Sequence, residues 1–346
     1  MVFSRVLFLY ALLFSLTPFN GQAKGNSVSI GLAGDVMLGR LVNDTIATTS
    51  YAYPWGNLLP ELYKNDLNII NLETTLTNAK KPVPKVFNFR ANPEVVVSLL
   101  LGNITVVNTA NNHILDFGIP GLIETLKVLD STGIKHVGSG NNELQARRPV
   151  IINKNNIKIG IIGATDNEPT WIATSIRPGT NYFSATKANR LLQDVRALRP
   201  LVDILIVCLH WGPNMKERPS HEFRDLAHQL IDSGVDILHG HSAHIFQGIE
   251  IYKNKLILYD TGDFVDDYAV DPFLRNDRSF LFNVTVDEQG LRQLKLIPVI
   301  IKDMQVRKAQ GKQAAQIIRR MQALSQEFHT KIESDGTLVL TNTSGH

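Results

Sequence analysis

Residues 104–118 read ITVVNTANNHILDFG, and this stretch indicates both the kind of fold and the place of its site. Ile104 to Asn108 is a β-branched run that predicts a buried strand. The run then ends in two asparagines and His113, with Asp116 three positions later, rather than in ordinary turn residues. Since open α/β sheets bind ligands beyond the carboxyl ends of their strands, this ending predicts a functional site there.

Working outward, the same kind of ending closes other apolar runs. Asp35 closes VSIGLAGD, Glu73 closes DLNIINLE and His210 closes DILIVCLH. His241 closes VDILHGH, and His244 lies in the loop that follows. Helical patterns at residues 119–133 and 221–234 alternate with these runs, and hairpins with turns at residues 253–254 and 288–290 come later. The sequence therefore predicts an α/β fold, a layered sandwich with mixed β-sheets.

The bulk composition is that of a globular protein. The 346 residues are 44% hydrophobic and 19% charged, which is too little charge for a disordered chain. A net charge of +3 gives no case for nucleic acid as a partner. The single cysteine, Cys208, excludes an internal disulfide and thiolate zinc sites, and we expect it to pack in the core.

The N-terminal segment is predicted to be a signal peptide. Residues 1–23 carry one basic residue, Arg5, then an apolar run over residues 6–16, and small residues at Gly21 and Ala23. Cleavage before Lys24 would leave residues 24–346 as one domain, with a core at about 28–302 and a C-terminal helix and hairpin at 303–346. The alternative is an uncleaved membrane anchor, although the apolar run is shorter than a spanning helix needs.

The residue types at the strand ends suit a metal centre. Carboxylate, amide oxygen and imidazole are ligands for divalent ions such as Mn, Zn or Fe, and several from neighbouring strands could hold one ion or two. The candidate ligands are Asp35, Glu73, Asn112, His210, His241 and His244. His113 is a candidate catalytic group, and Asp116 could orient its imidazole. The alternatives are that the aspartates are turn formers or helix caps, with Asp116 capping the helix that follows.

Other polar residues near these runs are candidates for substrate binding or for structural roles. Arg40 could clamp an anionic substrate, or it could form a surface salt bridge. Asp263 and Asp266 in GDFVDDY and Asp166 in TDNEPTW are candidate substrate-binding or loop-ordering residues. His239 is expected to be structural, pointing to the opposite face of its strand from the neighbouring candidate ligand.

The motifs resemble those of the CapA family of poly-γ-glutamate synthesis or capsule biosynthesis proteins, part of the calcineurin-like metallophosphatase superfamily. They lie in the family's order over residues 31–268: GLAGDVMLGR, NLETTLT, TANNHILDFG, TDNEPTW, LHWGPN, GHSAHIFQGIEIY and LILYDTGDFVDDY. The resemblance implies a four-layer αββα sandwich with a metal centre at its strand ends. By motif, Glu73 would take the place of the bridging acid and His113 that of the catalytic histidine, while the remaining candidate ligands would complete the set.

Two departures separate this chain from the wider superfamily. The first motif is ordinarily Asp-x-His, but Met37 stands at its third position, so one metal site would lack a ligand. The last motif is ordinarily Gly-His-x-His, whereas GHSAH spaces the two histidines by one more residue. Both departures count against an ordinary phosphodiesterase or nucleotidase.

The predicted signal peptide indicates an exported protein, and we expect it to be periplasmic, extracellular or attached to the cell envelope. The leading hypothesis is that the protein is a metal-dependent hydrolase. The ion would lower the pKa of bound water to supply hydroxide, and His113 would protonate the leaving group. The resemblance implies that the partner of the protein is poly-γ-glutamate, a related anionic polymer, or the membrane machinery that makes it. The alternatives are a non-catalytic polymer-binding accessory subunit with a structural metal, and a phosphodiesterase or nucleotidase.

Overall fold

The computed structural model describes residues 26–338. The predicted signal peptide at residues 1–23 and the end of the predicted C-terminal hairpin, residues 339–346, lie outside the described residues. The division of the chain into a signal peptide and one domain therefore stays a prediction. Within residues 26–338, every helix is too short or too polar to cross a membrane.

Strands and helices alternate through most of the described chain. In chain order, the strands are β1 (Val28–Val36), β2 (Leu67–Leu72), β3 (Thr75–Leu76), β4 (Arg90–Ala91), β5 (Val106–Asn108), β6 (Lys135–Val137), β7 (Ser139–Gly140), β8 (Val150–Lys154), β9 (Ile157–Thr165), β10 (Gly179–Thr180), β11 (Ile204–His210), β12 (Ile237–His241), β13 (Ile249–Tyr252), β14 (Lys255–Leu258), β15 (Asp263–Val265), β16 (Arg278–Asp287), β17 (Gly290–Lys302) and β18 (Gln305–Lys308). The α-helices are α1 (Arg40–Thr48), α2 (Leu59–Leu62), α3 (Val96–Leu101), α4 (Gly118–Thr132), α5 (Glu143–Ala146), α6 (Asn189–Leu198), α7 (His221–Asp232) and α8 (Gly311–Ser325). Short 3₁₀ helices occupy Tyr53–Leu58, Pro93–Val95, Pro169–Trp171, Arg199–Leu201 and Gln326–Phe328.

Two large mixed sheets carry the fold. The first sheet has the order β18-β17-β16-β1-β2-β5-β6, and β15 pairs in parallel with the end of β1. The second sheet has the order β13-β14-β12-β11-β9-β8. In the first sheet β1, β2, β5 and β6 are parallel, and in the second β9, β11, β12 and β14 are parallel. Each sheet therefore brings the carboxyl ends of its parallel strands to one edge.

Apolar side chains fill three layers around these sheets. Because successive strand residues face opposite sides, β11 sends Ile206 and Cys208 into the layer between the sheets, and Val207 into the layer under α6 and α7. On the other side, Leu99 of α3 and Leu129 of α4 pack on the outer face of the first sheet. The order helices, sheet, sheet, helices confirms the predicted four-layer αββα sandwich, and the core position predicted for Cys208 is also confirmed.

The later part of the chain closes the sandwich. Lys253 and Asn254 form the predicted two-residue turn between β13 and β14, with φ values of 50° and 62° that suit such a turn. The predicted hairpin of β16 and β17 is present as well, with Asp287 opposite Gly290. Helix α8 packs Ile317, Met321 and Leu324 against the layer between the sheets, which completes the central core.

Candidate metal centre

The predicted site residues meet where the two sheets present their strand ends. Asp35 lies near the end of β1, Glu73 follows β2 directly, and His113 lies in the loop after β5. His210 and His241 are the last residues of β11 and β12 in the second sheet. All of these side chains are buried. The site therefore lies at the junction of the two sheets rather than on either sheet alone.

Four of the buried residues form one tight group. Asp35, Glu73, His244 and Asp263 each offer one ligand atom, and these atoms all lie within 4.8 Å of one another. The Nδ1 atom of His244 is 2.8 Å from Asp263 Oδ1 and 3.4 Å from Asp35 Oδ2. Carboxylates and imidazole are ligands that suit borderline divalent ions. The group could therefore hold a metal ion.

Glu73 lies at the centre of the histidines. Its Oε1 atom is 3.8 Å from His113 Nε2, 4.0 Å from His210 Nε2 and 3.9 Å from His244 Nε2. Within residues 26–338 this oxygen has no hydrogen-bond partner, although it is buried. A buried carboxylate oxygen without a donor is costly, and a cation among these imidazoles would remove that cost.

Further polar atoms of the predicted site residues are also buried without a hydrogen-bond partner in the described part of the chain. They are Asn112 Oδ1, His210 Nε2, His241 Nδ1 and Asp263 Oδ2. All of them belong to residue types that bind divalent ions through these atoms. Because these unpaired atoms are all potential ligand atoms, the residues present fit a metal ion.

Negative charge accumulates in this group. Burial raises the pKa of Glu73 well above its usual value, and the charge of Asp35 raises it further. Burial also raises the pKa of Asp263 to about 6. Burial opposes the charged form of His244, but Asp263 and Glu73 outweigh it and raise the pKa of the ring well above its usual value. A divalent cation would neutralise this crowding of carboxylates.

The asparagines of TANNH have different roles. Asn111 is buried with its polar atoms engaged, since Nδ2 donates to Leu72 O at 2.8 Å and Oδ1 accepts from His113 N at 3.0 Å. Asn112 is half-buried, and its Oδ1 atom is among the unpaired atoms above. Asn111 therefore orders the loop, whereas the amide oxygen of Asn112 is available to a metal ion.

His113 is held on two sides. Its Nδ1 atom is 2.6 Å from Asp116 Oδ2, and its ring stacks on Phe89 with centroids 3.7 Å apart. Asp116 also accepts from Phe89 N at 2.7 Å and from Lys85 Nζ at 3.0 Å, whereas Phe117 is the residue at the N-cap of α4. The carboxylate therefore braces the imidazole and does not cap the helix. Burial lowers the pKa of His113 to about 4, although Asp116 opposes the shift.

The expected orientation of His239 is wrong, whereas no observation contradicts the structural role expected for it. Residues two apart on a strand share one face, and the Nε2 atoms of His239 and His241 are in fact 3.1 Å apart. His239 Nδ1 in turn lies 3.8 Å from Cys208 Sγ. Burial lowers the pKa of both rings, that of His241 to about 4, so both are neutral. His239 therefore lies behind His241 and contacts it directly.

The predicted substrate-binding aspartates lie in different places. Asp263 belongs to the tight group, which favours a ligand over a substrate contact. Asp266 accepts from Tyr268 N at 2.8 Å and is 5% exposed. Asp166 accepts from Gly212 N at 3.1 Å, which orders the loop after β11. For the last two the loop-ordering alternative is the one these hydrogen bonds favour.

Arg40 is engaged in an ion pair. Its guanidinium forms a fork with Asp267, in which Nε is 3.1 Å from Oδ2, and it lies 4.9 Å from the Phe89 ring centroid. The Arg40 side chain keeps 31% exposure.

Met37 is fully buried in the layer outside the first sheet, and its Sδ accepts from Gly39 N at 3.1 Å. The thioether is thus committed to the core.

Backbone contacts bring Asp35 and Asp263 together. Gly34 allows this approach, because a Cβ atom there would lie 1.7 Å from Gly262 O. Asp35 N then donates to Gly262 O at 2.9 Å, and Asp35 lies opposite Asp263 in the register of β1 and β15. Asp260, which the sequence patterns do not single out, accepts from Gly262 N at 2.8 Å.

The loop that carries His244 has unusual backbone angles. Ser242 has φ of 107° and His244 has φ of 60°, a region that side chains other than glycine rarely adopt. Asp260 Oδ2 accepts from Ala243 N at 2.7 Å and holds the loop in place. Such local strain is typical of functional loops that the surrounding structure over-determines.

Comparisons with known proteins agree with these motifs. Residues 29–268 match the family described as bacterial capsule synthesis protein PGA_cap. A Mycobacterium tuberculosis protein described as a probable polyglutamine synthesis accessory protein is 34% identical over 322 residues, which cover 86% of this chain and 83% of that one. The capsule biosynthesis protein CapA of Bacillus anthracis is 29% identical over 288 residues, covering 81% and 69%.

Solved structures with a related chain trace are more distant. The sulfate thiohydrolase SoxB of Thermus thermophilus superposes with a TM-score of 0.48 at 10% identity, covering 91% of this chain and 62% of that one. A 5'-nucleotidase precursor from Thermus thermophilus gives 0.44 at 14% identity, covering 79% and 54%. The family match extends from β1 to Tyr268 and spans every candidate ligand. The chain therefore belongs to the PGA_cap family of bacterial capsule synthesis proteins.

Proposed function

We propose that this protein is a metal-dependent hydrolase of the cell envelope that acts in the synthesis, export or anchoring of poly-γ-glutamate or a related anionic capsule polymer. The names of its relatives support the polymer, since they include capsule biosynthesis and PGA biosynthesis proteins. The observation that supports a metal-dependent reaction is the position of Glu73 Oε1. This oxygen is buried without a hydrogen-bond partner in residues 26–338, and it faces three imidazoles. The proposed partner is the polymer or the membrane machinery that makes it.

The ligands of the proposed ion come from the tight group. Asp35, Glu73, Asp263 and His244 would hold it, and Asn112, His210 and His241 surround them with further donor atoms. A divalent ion at this place would supply Lewis-acid activation of water and polarise the bond to be cleaved. Metal identity could be Mn, Zn or Fe, all of which accept this mixture of oxygen and nitrogen ligands.

His113 is the proposed proton-transfer residue. At neutral pH the ring is neutral because burial lowers its pKa to about 4. The bond between Nδ1 and Asp116 places the ring hydrogen on Nδ1, which leaves the lone pair on Nε2, 3.8 Å from Glu73 Oε1. The ring would therefore accept a proton at Nε2 first and return it to the leaving group afterwards, rather than start as the proton donor.

A non-catalytic accessory subunit with a structural metal is the second candidate function. Met37 favours it, because the thioether is packed in the core where the superfamily's first motif has an imidazole. The description of the Mycobacterium tuberculosis relative as an accessory protein favours it too. In this case the metal would hold the two sheets together and the polymer would bind without being cleaved.

Metal content and turnover of the purified full chain separate these functions. Bound metal is measured by mass spectrometry, and hydrolysis is followed on poly-γ-glutamate and on a chromogenic phosphodiester with added Mn or Zn. The variant is His113→Gln. The matched control is His228→Gln, since His228 contacts Glu250 at 2.9 Å and stacks on Tyr252 away from the candidate metal group.

The hydrolase proposal expects metal-dependent turnover in the wild type and the control, with at least a hundredfold loss in His113→Gln at unchanged metal content. Bound metal without turnover on either substrate would favour the accessory function. A wild type that binds no divalent ion would overturn both. Export is tested by determining the N-terminal residue of the protein recovered from the cell envelope. We expect this residue to be Lys24.

A further inference from the structure

A cavity lies beside the candidate metal centre, between the loops that follow β11 and β12. Its volume is about 170 Å³. Two of the residues that line it, Trp211 and Gly212, follow His210 directly, and a third, Ala243, directly precedes His244. The cavity therefore adjoins the candidate metal centre through the same two loops that carry candidate ligands.

Aromatic rings form the apolar part of the cavity. Trp211, Phe223 and Tyr259 line it, and Pro213 and Pro219 add further apolar surface. The ring centroids of Trp211 and Phe223 are 4.8 Å apart, and Trp211 Nε1 donates to Tyr259 O at 2.9 Å. The indole is therefore fixed in place, and the rings offer a rigid apolar surface to a hydrocarbon chain.

Two cations, Lys216 and Arg218, complete the lining of the cavity. Lys216 is exposed, and no acid among residues 26–338 forms an ion pair with its Nζ atom. Arg218 Nη1 pairs with Glu327 Oε1 at 2.5 Å, but Glu327 also pairs with Arg224, so one carboxylate serves two guanidinium groups. Positive charge thus remains available to an anion at the exposed side of the cavity.

The acids in this region are engaged by other groups. Asp260 lines the cavity, but its two oxygens accept from Ala243 N at 2.7 Å and Gly262 N at 2.8 Å. Glu217, next to Lys216 in the chain, pairs with Arg320 at 2.9 Å. These contacts leave the two lining cations without a neutralising carboxylate of their own in the described part of the chain.

The loop that carries the cations is fastened to the loop that carries His244. Met215 N donates to Ala243 O at 2.8 Å, and Gln247 Nε2 donates to Lys216 O at 2.8 Å. The cavity is therefore preformed, as ligand sites usually are. A ligand bound in it would be held at a fixed place beside the candidate metal centre.

We propose that this cavity is a subsite for one carboxylate-bearing unit of the anionic polymer. Lys216 and Arg218 bind the carboxylate, and the aromatic rings pack against the methylene groups of the unit. Clefts for drug-sized ligands are typically about 300–1,000 Å³, so a cavity of about 170 Å³ takes one unit while the rest of the polymer stays outside. The identity of the ligand rests on the proposed function, whereas binding in the cavity requires neither metal nor turnover.

The experiment measures the affinity of the metal-stripped full chain for a fluorescently labelled poly-γ-glutamate oligomer. Fluorescence anisotropy is recorded at low ionic strength, where exposed charges are least screened. The variant is Lys216→Gln/Arg218→Gln. The matched control is Lys158→Gln/Arg292→Gln, which removes the same charge at the first turn of β9 and β17, away from the strand ends that carry the candidate ligands.

Tryptophan emission shows where the polymer binds. Trp211 lines the cavity, whereas Trp55 is buried in the layer outside the first sheet and Trp171 lies 4.9 Å from Lys85 Nζ. An unlabelled oligomer is used for this measurement. A change in emission that is present in the wild type and absent in Trp211→Phe reports contact within the cavity.

The expected result is affinity about five- to thirtyfold weaker in Lys216→Gln/Arg218→Gln and within about twofold of the wild type in the control. The wild type should also show the emission change that depends on Trp211. Equal affinity of the wild type and Lys216→Gln/Arg218→Gln would overturn the proposal, and so would an equal loss in the control. Binding without the Trp211-dependent change, or no binding by the wild type, would overturn it as well.

Failure of this proposal and failure of the proposed function give different results. If the oligomer binds as expected but no metal-dependent turnover is found, the hydrolase fails while the subsite stands. If poly-γ-glutamate is hydrolysed but Lys216→Gln/Arg218→Gln keeps the affinity of the wild type, the proposed function stands and the subsite is refuted.

Discussion

Replacing Glu73 by glutamine should have opposite effects on the metal-free and the metal-loaded protein. Glutamine keeps the shape of the side chain and removes its charge. In the metal-free protein, burial raises the pKa of the Glu73 carboxyl well above its ordinary value of 4.5, and the charges of Asp35 and Asp263 raise it further. Removing the charge should therefore leave metal-free Glu73→Gln at least as stable as the wild type at pH 7.

The pH dependence of this difference has a definite sign. A carboxyl group whose pKa rises on folding stabilises the folded state below its unfolded pKa and loses that contribution as the pH rises through its folded pKa. The metal-free wild type should therefore lose stability relative to Glu73→Gln as the pH rises from about 4.5 toward 8. The two proteins should melt at similar temperatures at the acidic end of this range.

The metal-loaded state should show the reverse order. An ion in 100-fold excess over its dissociation constant stabilises the folded state by about 2.7 kcal/mol. For the roughly 310 residues that the structure describes, that raises the melting temperature by about 4 °C. If the loss of one charged ligand weakens binding about 100-fold, the same ion concentration adds only about 0.4 kcal/mol, or less than about 1 °C.

Thermal melting with and without Mn measures all of these quantities. Glu250→Gln is the control, because Glu250 has partners of its own in His228 at 2.9 Å and the Tyr259 hydroxyl at 2.6 Å. Without metal, Glu250→Gln should have a lower melting temperature than the wild type. Mn should raise its melting temperature by as much as it raises that of the wild type. A Glu73→Gln protein that keeps the wild-type rise in melting temperature would refute the central place of Glu73 in the metal group.

Three other substitutions test separate parts of the site. Asp116→Asn removes the carboxylate 2.6 Å from His113 Nδ1, and should lower turnover about 10²- to 10⁴-fold in steady-state assays with metal content unchanged. Gly34→Ala places a Cβ 1.7 Å from Gly262 O, so urea unfolding should show a loss of about 3 kcal/mol or more together with weaker metal binding. Met37→His buries a polar ring in an apolar layer, and should cost about 1–3 kcal/mol in urea unfolding without adding a metal ion by mass spectrometry.

The convergence of the strand-end residues could be predicted from the sequence. Asp35, Glu73 and His210 each end an apolar run, and parallel strands bring such ends to one edge of a sheet. The position of Asp263 could not be predicted in the same way. Its strand has three residues and pairs with β1 only because Gly34 lets Gly262 approach, which is a close backbone contact that no side-chain pattern reports.

The buried amides that contact the candidate ligands could not be predicted from sequence patterns. Asn71 stands on β2, which also carries Asn68, and its four hydrogen bonds reach residues between 36 and 139 positions away along the chain. These contacts depend on how the two sheets dock. The position of His239 could be predicted from the sequence, since the period of two along a strand places it on the same face as His241.

The origin of the ligands in both sheets has a consequence for how the site forms. Asp35, Glu73 and Asp263 repel one another without a cation, so the burial of apolar side chains between the sheets must hold them together. A bound ion would replace this repulsion by attraction and would couple metal binding to the docking of one sheet on the other. Chelation should therefore loosen the strained loop around His244 first, because Asp260 and the metal group are what hold its unusual backbone, while the core between the sheets stays packed.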